Sequence, residues 1–565
     1  MLGRIPALNA AGIATLLLAT TAFAQEAEAP PKLVLQITVD QLRGDMIDRF
    51  RAGLGKGGFN RLLKSGVHFA NAHHRHANTE TIVGHTTLST GTDPGIHGMV
   101  ANLWFDRGTG TTFYNVQDPD YPLVGASGVD ADTEIDPTQR AATTDGRSPR
   151  NILTSTIGDE IRMHYGPDTK VFGVSVKDRG AISFAGHSGQ AYWFSKSEGR
   201  FVTSTFYRED YPAWMSDWEI QGFVDSYAGS VWTPMLPAEN YLFWDKDDQP
   251  WETDFPGFGR TFPHAYPMDD NRYYTTLLTL SPAGDEVTVD FAKALMSAEA
   301  VGQDDVPDFM SVSLSSTDYV GHIFGPSSLE AEDNFKRLDQ TLADFLDFVD
   351  DSVGLDQTLV VLSSDHGARE APGYLNSLGI EAQSFEFEAA AKSAGFARLK
   401  ERFGIGEALL NSFTNPYVYL DRAAIEAAGA TLTEVEEAVA VELQKMPGIA
   451  FAITSSNLRR GAVPDTKIAR AVMANFHADR SGDIYVVFEP HWFVAEFDSL
   501  TVASAHGSPW TYDTHVPVIF SGAGIVNARV ERRIETVDVA VTIASIMRTK
   551  PPSGAVGLPL LEALP

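Results

Sequence analysis

The chain of 565 residues is 43% hydrophobic and 21% charged, ordinary for a globular protein, and long enough for a large core with inserted subdomains. A formal net charge of -31 repels nucleic acid and anionic lipid, so neither is expected as a partner, and any site for an anionic substrate must be made positive locally. The absence of cysteine excludes disulfides, thiolate catalysis and Cys-based zinc sites, leaving His, Asp, Glu and Thr to hold any metal.

In chain order, Arg4, the apolar run from Ala11 to Ala19 and the small-x-small Ala22-Phe23-Ala24 predict a cleaved signal peptide over residues 1–24, with Gln25 as the mature start. The run falls short of the roughly 20 residues that cross a bilayer. Export to the periplasm or beyond is therefore expected. LVLQITV at 33–39 is a β-branched, apolar run of the kind that forms a buried parallel strand, and a helical stretch is expected around 41–54. NTETIVGHTTLSTGTDPGIHG, from Asn78, places hydroxyl residues at the start of a short helical segment. A Thr at a helix start is commonly only a cap, but the free N–H groups and the helix dipole there also favour an alkoxide and an incoming phosphate.

The stretch 181–275 is dense in Trp, Tyr, Phe, Pro and Gly with little periodicity and reads as an insertion or cap, packed as a structural lid in preference to walling a pocket. DFMSVSL at 308–314, QTLVVLSS at 357–364 and VPVIF at 516–520 repeat the buried-strand signature, and 327–350 carries a helical spacing of apolar residues. A second inserted block spans 380–500, with an amphipathic helix at 432–446 and a strand at 483–489. Strands alternating with helices predict an α/β sandwich with a mainly parallel central sheet.

The chemistry-bearing residues follow the strands. Asp40 ends ITVD; Asp318 follows MSVSLSST, with His322 four residues on; Asp365 and His366 end VVLSSDHG. Ligands bind at the carboxyl ends of strands in such sheets. One D-x-x-x-H is common on solvated helix faces, whereas three strand-end clusters in one chain point to a shared metal site. Oxygen and nitrogen donors without sulfur suit zinc, and two zinc ions roughly 4 Å apart are a recurrent hydrolytic device. His506, in a Gly-containing loop before 516–520, is the best candidate for a further imidazole.

The ordered set VDQLRGD, TETIVGHTTLSTGTDPGIHG, TDYVGH, SSDHG and HGSPWTYDTHVP resembles the alkaline phosphatase superfamily, and within it the secreted bacterial, phosphate-irrepressible type with a Thr nucleophile. The likeness runs from about residue 32 to TVDVAVTIASI near the C-terminus. It implies an alkaline phosphatase-like catalytic domain over 25–565 with inserted cap subdomains at about 181–275 and 380–500. It implies Thr81 as nucleophile and two Zn2+ ions per subunit, one on Asp318, His322 and His506, the other on Asp40, Asp365, His366 and the Thr81 oxygen. It also matches Asn102 to an Asn that donates to a phosphoryl oxygen in monoesterases and diesterases alike, and Lys177 and Arg179 of VFGVSVKDRG to the monoesterase branch. Arg plus Lys suits a dianion, which has one more charged oxygen than a diester. Two residues apart at the end of a β-branched run, the pair is expected to leave one face of a strand.

The function implied is hydrolysis of small-molecule phosphate monoesters by a monomeric enzyme, through a phospho-Thr intermediate. A phosphodiesterase or nucleotide pyrophosphatase would use the same metal frame, and an inactive zinc-binding protein is the reading from another class. The loop between Asn102 and Lys177 is long, and its acidic run DADTEID at 130–136 is expected to be a solvated turn, since its spacing fits no calcium loop. His73, His74, Arg75 and His76 read as an ordinary polar segment, and His85 and His515 as candidates to orient a ligand from behind.

Overall fold

In the computed structural model, residue 3 and residues 29–565 are described, apart from 129, 131, 495, 498 and 499; the leader expected over 1–24 lies outside the described residues. The strand expected at 33–39 is β1 (Leu33–Val39), buried on both faces. With β2 (Val67–His73), β3 (Leu123–Val124), β4 (Val171–Ser175), β5 (Gln190–Ser195), β6 (Arg200–Ser204), β7 (Asp308–Leu314), β8 (Thr358–Ser363), β9 (His515–Gly522), β10 (Ala528–Val530) and β11 (Ile534–Glu535) it builds an 11-stranded sheet. The order is β10-β2-β9-β8-β1-β7-β4-β5-β6-β3, with β11 also on β2. The middle of the sheet, from β8 through β1, β7 and β4 to β5, is parallel, whereas β9 and β6 run antiparallel to their neighbours.

Around this sheet lie α1 (Thr81–Thr90), α2 (Ile157–Tyr165), α3 (Asp178–Ala185), α4 (Ala283–Ala298), α5 (Ser316–Phe324), α6 (Leu329–Ser352) and α7 (Asp538–Ile546). Alternation along β1 separates two cores. Leu33, Leu35 and Ile37 pack with Phe291, Leu295, Leu338 and Phe345 of α4 and α6, while Val34 faces Ile157, Ile161 and Ile543 of α2 and α7. The helix α6 begins where the Ser328 side chain accepts from the Ala331 N–H, within two residues of the expected start.

The helix expected over 41–54 shrinks to a four-residue turn, Met46–Arg49, and a short 3-10 turn, Arg51–Gly53, because the chain leaves β1 through a left-handed residue, Gln41 at φ 65°. The block expected at 181–275 is not wholly separate. Its first part completes α3 and supplies β5 and β6, so the compositional boundary at 181 coincides with no edge of the sheet. Its aromatics join the α4–α6 core, with Phe201 of β6 stacked on Phe291 at 3.9 Å and, beyond 205, Trp218 edge-on to the same ring. The 380–500 block has its own four-stranded antiparallel sheet, in the order Leu410–Thr414, Tyr417–Leu420, Ile484–Phe488, Ile449–Thr454, with a separate core under the helix Leu432–Leu443.

Candidate active site and metal centre

Three adjacent parallel strands deliver the carboxylates to one edge of the sheet. Asp40 follows β1, Asp365 follows β8, and Asp318 sits in the first turn of α5, which follows β7; all three are buried. Gln41 locks two of them together: its backbone N–H donates to Asp365 Oδ1 at 3.2 Å and its side chain to Asp318 Oδ1 at 2.6 Å. A non-glycine residue at positive φ costs on the order of 1–3 kcal/mol and persists where the surroundings over-determine it. No sequence signal marked Gln41 beyond its place next to Asp40.

Two groups of candidate ligands result, each with its ligand atoms mutually within 4.8 Å: Asp318, His322 and His506, and Asp40, Asp365 and His366. The His322 Nε2 lies 3.1 Å and the His506 Nε2 3.5 Å from Asp318 Oδ1, and the His366 Nε2 lies 3.3 Å from both Asp40 Oδ1 and Asp365 Oδ2. Each imidazole is turned by a backbone carbonyl at its other nitrogen. His322 Nδ1 donates to Ser504 O, His506 Nδ1 to Thr79 O and His366 Nδ1 to Gly367 O. That leaves each Nε2 facing the carboxylates, the orientation metal-binding histidines adopt.

Among the described residues, Asp40 Oδ1, Asp365 Oδ2 and His366 Nε2 are buried with no hydrogen-bond partner. Acceptors facing each other in this way suit a cation, and the donor set fits a zinc-type ion. Burial, with Asp318 and Asp365 beside it, pushes the Asp40 carboxyl up. Burial acts the same way on Asp318, but His322 and Lys177 outweigh it and hold that carboxyl well below the usual range. Burial drives the His366 imidazole down, so it stays neutral and free to ligate.

Thr81 is the first residue of α1, whose N-cap is Glu80, with no side-chain cap bond; the Thr81 hydroxyl is therefore not used as a cap. It is met by Arg179 Nη2 at 3.3 Å. His85, one turn on, bonds the Thr81 carbonyl through Nδ1 at 2.9 Å, with the same nitrogen 3.0 Å from Asp365 Oδ2, and reaches Ser313 Oγ through Nε2. It thus ties α1 to the metal edge. His515 instead bonds the Ala70 carbonyl and stacks on His73. His74, Arg75 and His76 pack behind α1 through Ser364, Asp93 and Thr87. Asn102 accepts from the Ile82 N–H at 3.2 Å through Oδ1, leaving its amide N–H groups for other acceptors.

Lys177 and Arg179 converge on the site by a different route from the one expected. β4 ends at Ser175, Lys177 caps α3 and Arg179 lies in its first turn, so the two do not share a strand face. The β-branched run is too short to reach them, and Gly173 lets α3 fold back tightly: a Cβ there would meet the Ala181 carbonyl oxygen at 2.1 Å. Far from forming a solvated pair, both side chains are buried. The Lys177 ammonium lies between Asp40 Oδ2, at 2.7 Å, and Asp318 Oδ2.

The acidic run 130–136 is not a solvated turn either. Asp130 accepts from Ser195 Oγ and from the Lys196 and Ser197 N–H groups, Glu134 pairs with the buried Lys196, and Asp136 pairs with Arg179. Three acids with matched donors fold this loop onto the site. A pocket opens over Thr81, walled by Asn102, Asp136, Arg179, Tyr319 and His322 among others. Ile135, Asn415 and Val502 also line it, and among the described residues none of the 181–275 aromatics does.

Comparison with known proteins agrees with this geometry. The family model described as type I phosphodiesterase / nucleotide pyrophosphatase matches residues 34–515. Alkaline phosphatase PhoV of Synechococcus elongatus is 33% identical over 95% of this chain and 93% of its own. Alkaline phosphatase PafA of Elizabethkingia meningoseptica is 33% identical over 94% of each chain. A crystal structure of wild-type PafA superimposes with a TM-score of 0.86 at 32% identity, covering 95% of this chain and all of that one. The chain belongs to the type I phosphodiesterase / nucleotide pyrophosphatase family of the alkaline phosphatase superfamily, and its fold is that of PafA.

Proposed function

We propose that this chain hydrolyses small-molecule phosphate monoesters, with Thr81 as nucleophile. The observation that carries the reading is the Arg179 guanidinium set 3.3 Å from Thr81 Oγ1, at the N-terminus of α1. A fixed fork of donors bears on that hydroxyl at the start of a helix, where a phosphoryl group would sit. The names of the relatives PhoV and PafA support the same activity.

Two zinc ions would suit the two ligand groups, one on Asp318, His322 and His506, the other on Asp40, Asp365 and His366, with Thr81 Oγ1 as a further donor to the second, as the family resemblance implies. When bound, they supply Lewis-acid charge at the oxygens that become negative during transfer. The chain's own residues do the rest. The Thr81 hydroxyl gives its proton to solvent as it attacks, and Arg179, whose Nη2 reaches Oγ1, is placed to meet the incoming phosphoryl oxygens there. As the Oγ1–P bond forms, the ester P–O bond breaks and the departing alkoxide takes a proton from solvent. Water then cleaves the phospho-Thr81 ester, releasing inorganic phosphate and restoring the hydroxyl. Asn102, Lys177 and Arg179 hold the phosphoryl oxygens as charge redistributes. Export and a monomeric state belong to the same proposal, the first supported by the leader-like residues 1–24; among the described residues no helix is long and apolar enough to cross a membrane.

The family model carries a phosphodiesterase name, which favours diester cleavage as the second reading. Turnover of an aryl phosphate monoester and its matched diester, with zinc and with chelator, separates the two. Zinc-dependent preference for the monoester is the expected result. Preference for the diester would move the function to phosphodiester cleavage, and no turnover of either would leave a binding protein.

A further inference from the structure

We propose that Asp136 is a positioning residue for Arg179, holding its guanidinium against Thr81 Oγ1 and so setting the preference for phosphate monoesters over diesters. The proposal rests on the phosphatase reading above. Arg179 Nη2 donates to Asp136 Oδ2 and also reaches Thr81 Oγ1, and with two N–H groups on that nitrogen both contacts can be made at once. On the opposite side, among the described residues, Nη1 reaches only the Tyr114 hydroxyl, at 3.4 Å, and Nε is buried without a partner. The contact with Asp136 is the one the side chain makes to a carboxylate.

Asp136 is itself immobilised. Its Oδ1 accepts from the Thr138 N–H at 2.9 Å, the Thr138 hydroxyl at 2.6 Å and the Gln139 N–H at 3.4 Å, while its own N–H donates to Glu134 Oε1 at 2.8 Å. Glu134 is in turn paired with buried Lys196, whose ammonium also reaches the Tyr319 hydroxyl beside Asp318. One carboxylate oxygen is thus spent on pinning the loop and the other on Arg179. A carboxylate fixed in this way cannot follow a swinging guanidinium, so it selects one arginine geometry. The dianion of a monoester, with its extra charged oxygen, needs that geometry most. Asp136 also walls the pocket, close to where the transferred group would lie. A carboxylate there is tolerable for an anionic substrate only if its charge is committed elsewhere.

The two oxygens allow a clean test. Asp136→Asn keeps an acceptor of equal quality for the loop, since Asn and Asp cap alike, but turns a donor toward Arg179. Its thermal midpoint is expected to fall, because buried Arg179 loses its counter-charge, so turnover is read at a temperature where the variant is fully folded. Its kcat/KM for an aryl monoester is expected to fall on the order of 10–100-fold, as when the orienting partner of a functional side chain is removed. Diester turnover should change by no more than about threefold, and in an Arg179→Ala background Asp136→Asn should cost nothing further, because the two residues act as one unit. Unchanged monoester turnover in Asp136→Asn, or a full additional loss in the Arg179→Ala background, would overturn the proposal. So would tighter inhibition by inorganic phosphate with turnover retained, which would make Asp136 a simple charge brake. Arg179→Ala alone is the control on the underlying reading: if it costs monoester and diester equally, that reading fails and the proposal fails with it.

Discussion

Gly84 lies directly against the Asp365 carbonyl: a Cβ on Gly84 would sit 1.9 Å from that oxygen and 2.7 Å from the Asp365 Cα. The helix α1, which begins at Thr81, and the strand end that carries two candidate ligands are therefore in backbone contact, with no side chain between them. Gly84→Ala cannot relieve the clash by a rotamer change and must push α1 away. A destabilisation of about 1–3 kcal/mol is expected from overpacking, with monoester turnover reduced at least tenfold as Thr81 leaves Arg179. Denaturant unfolding beside steady-state kinetics checks both. A variant with parental stability and turnover would show that α1 can shift without cost.

Thr81 Oγ1 has Arg179 as its hydrogen-bond partner and caps nothing, so Thr81→Ala should fold with parental stability and hold its metal while losing nearly all turnover. Thr81→Ser, which keeps the oxygen, should retain measurable activity. Acid quenching during turnover should trap phosphate on the peptide containing residue 81 in the parent and in Thr81→Ser only. Near-normal turnover by the metal-loaded Thr81→Ala protein would remove Thr81 as nucleophile.

The orphaned Asp40 Oδ1, Asp365 Oδ2 and His366 Nε2 make the site costly to leave without a cation. Chelation should lower the thermal midpoint and zinc should restore it, since a ligand present at about 100 times its Kd stabilises the folded state by about 2.7 kcal/mol. Elemental analysis should find two zinc ions per chain in the parent and about one in His506→Ala, because Asp40, Asp365 and His366 are untouched there. Full zinc content in His506→Ala would mean that the second group is held otherwise.

Asp285 links stability to pH outside the metal site. It joins α4 to the start of α5, accepting from the Ser316 N–H at 3.0 Å, while its other oxygen is buried without a partner. Burial, against the bonds from Ser316, raises its carboxyl to about 7. A carboxyl whose folded value lies above the unfolded one near 3.8 keeps its proton longer when folded, so stability falls as pH rises between those two values. Asp285→Asn removes that titration. The difference in thermal midpoint, variant minus parent, should grow from about pH 4 to about pH 7 and then level off. A difference independent of pH would show that Asp285 is not buried neutral.

Local pattern was enough for the frame. LVLQITV, DFMSVSL and QTLVVLSS became β1, β7 and β8 almost end to end, because a buried parallel strand is written in consecutive residues. Asp40, Asp318, His322, Asp365 and His366 could be found because they follow those strands directly, and the structure gathers them with His506 into two groups. Tertiary structure alone decided how the pocket is roofed and how its cations are aimed. Lys177 and Arg179 converge through the turn from β4 into α3, a change of backbone direction that a strand period does not encode. Asp136 reaches Arg179 from 43 residues away, and an acidic run looks the same in sequence whether its charges face water or fixed donors. Periodicity tells which side of an element is buried; which distant loop buries it depends on where the chain returns, and that is settled only when the long-range contacts form.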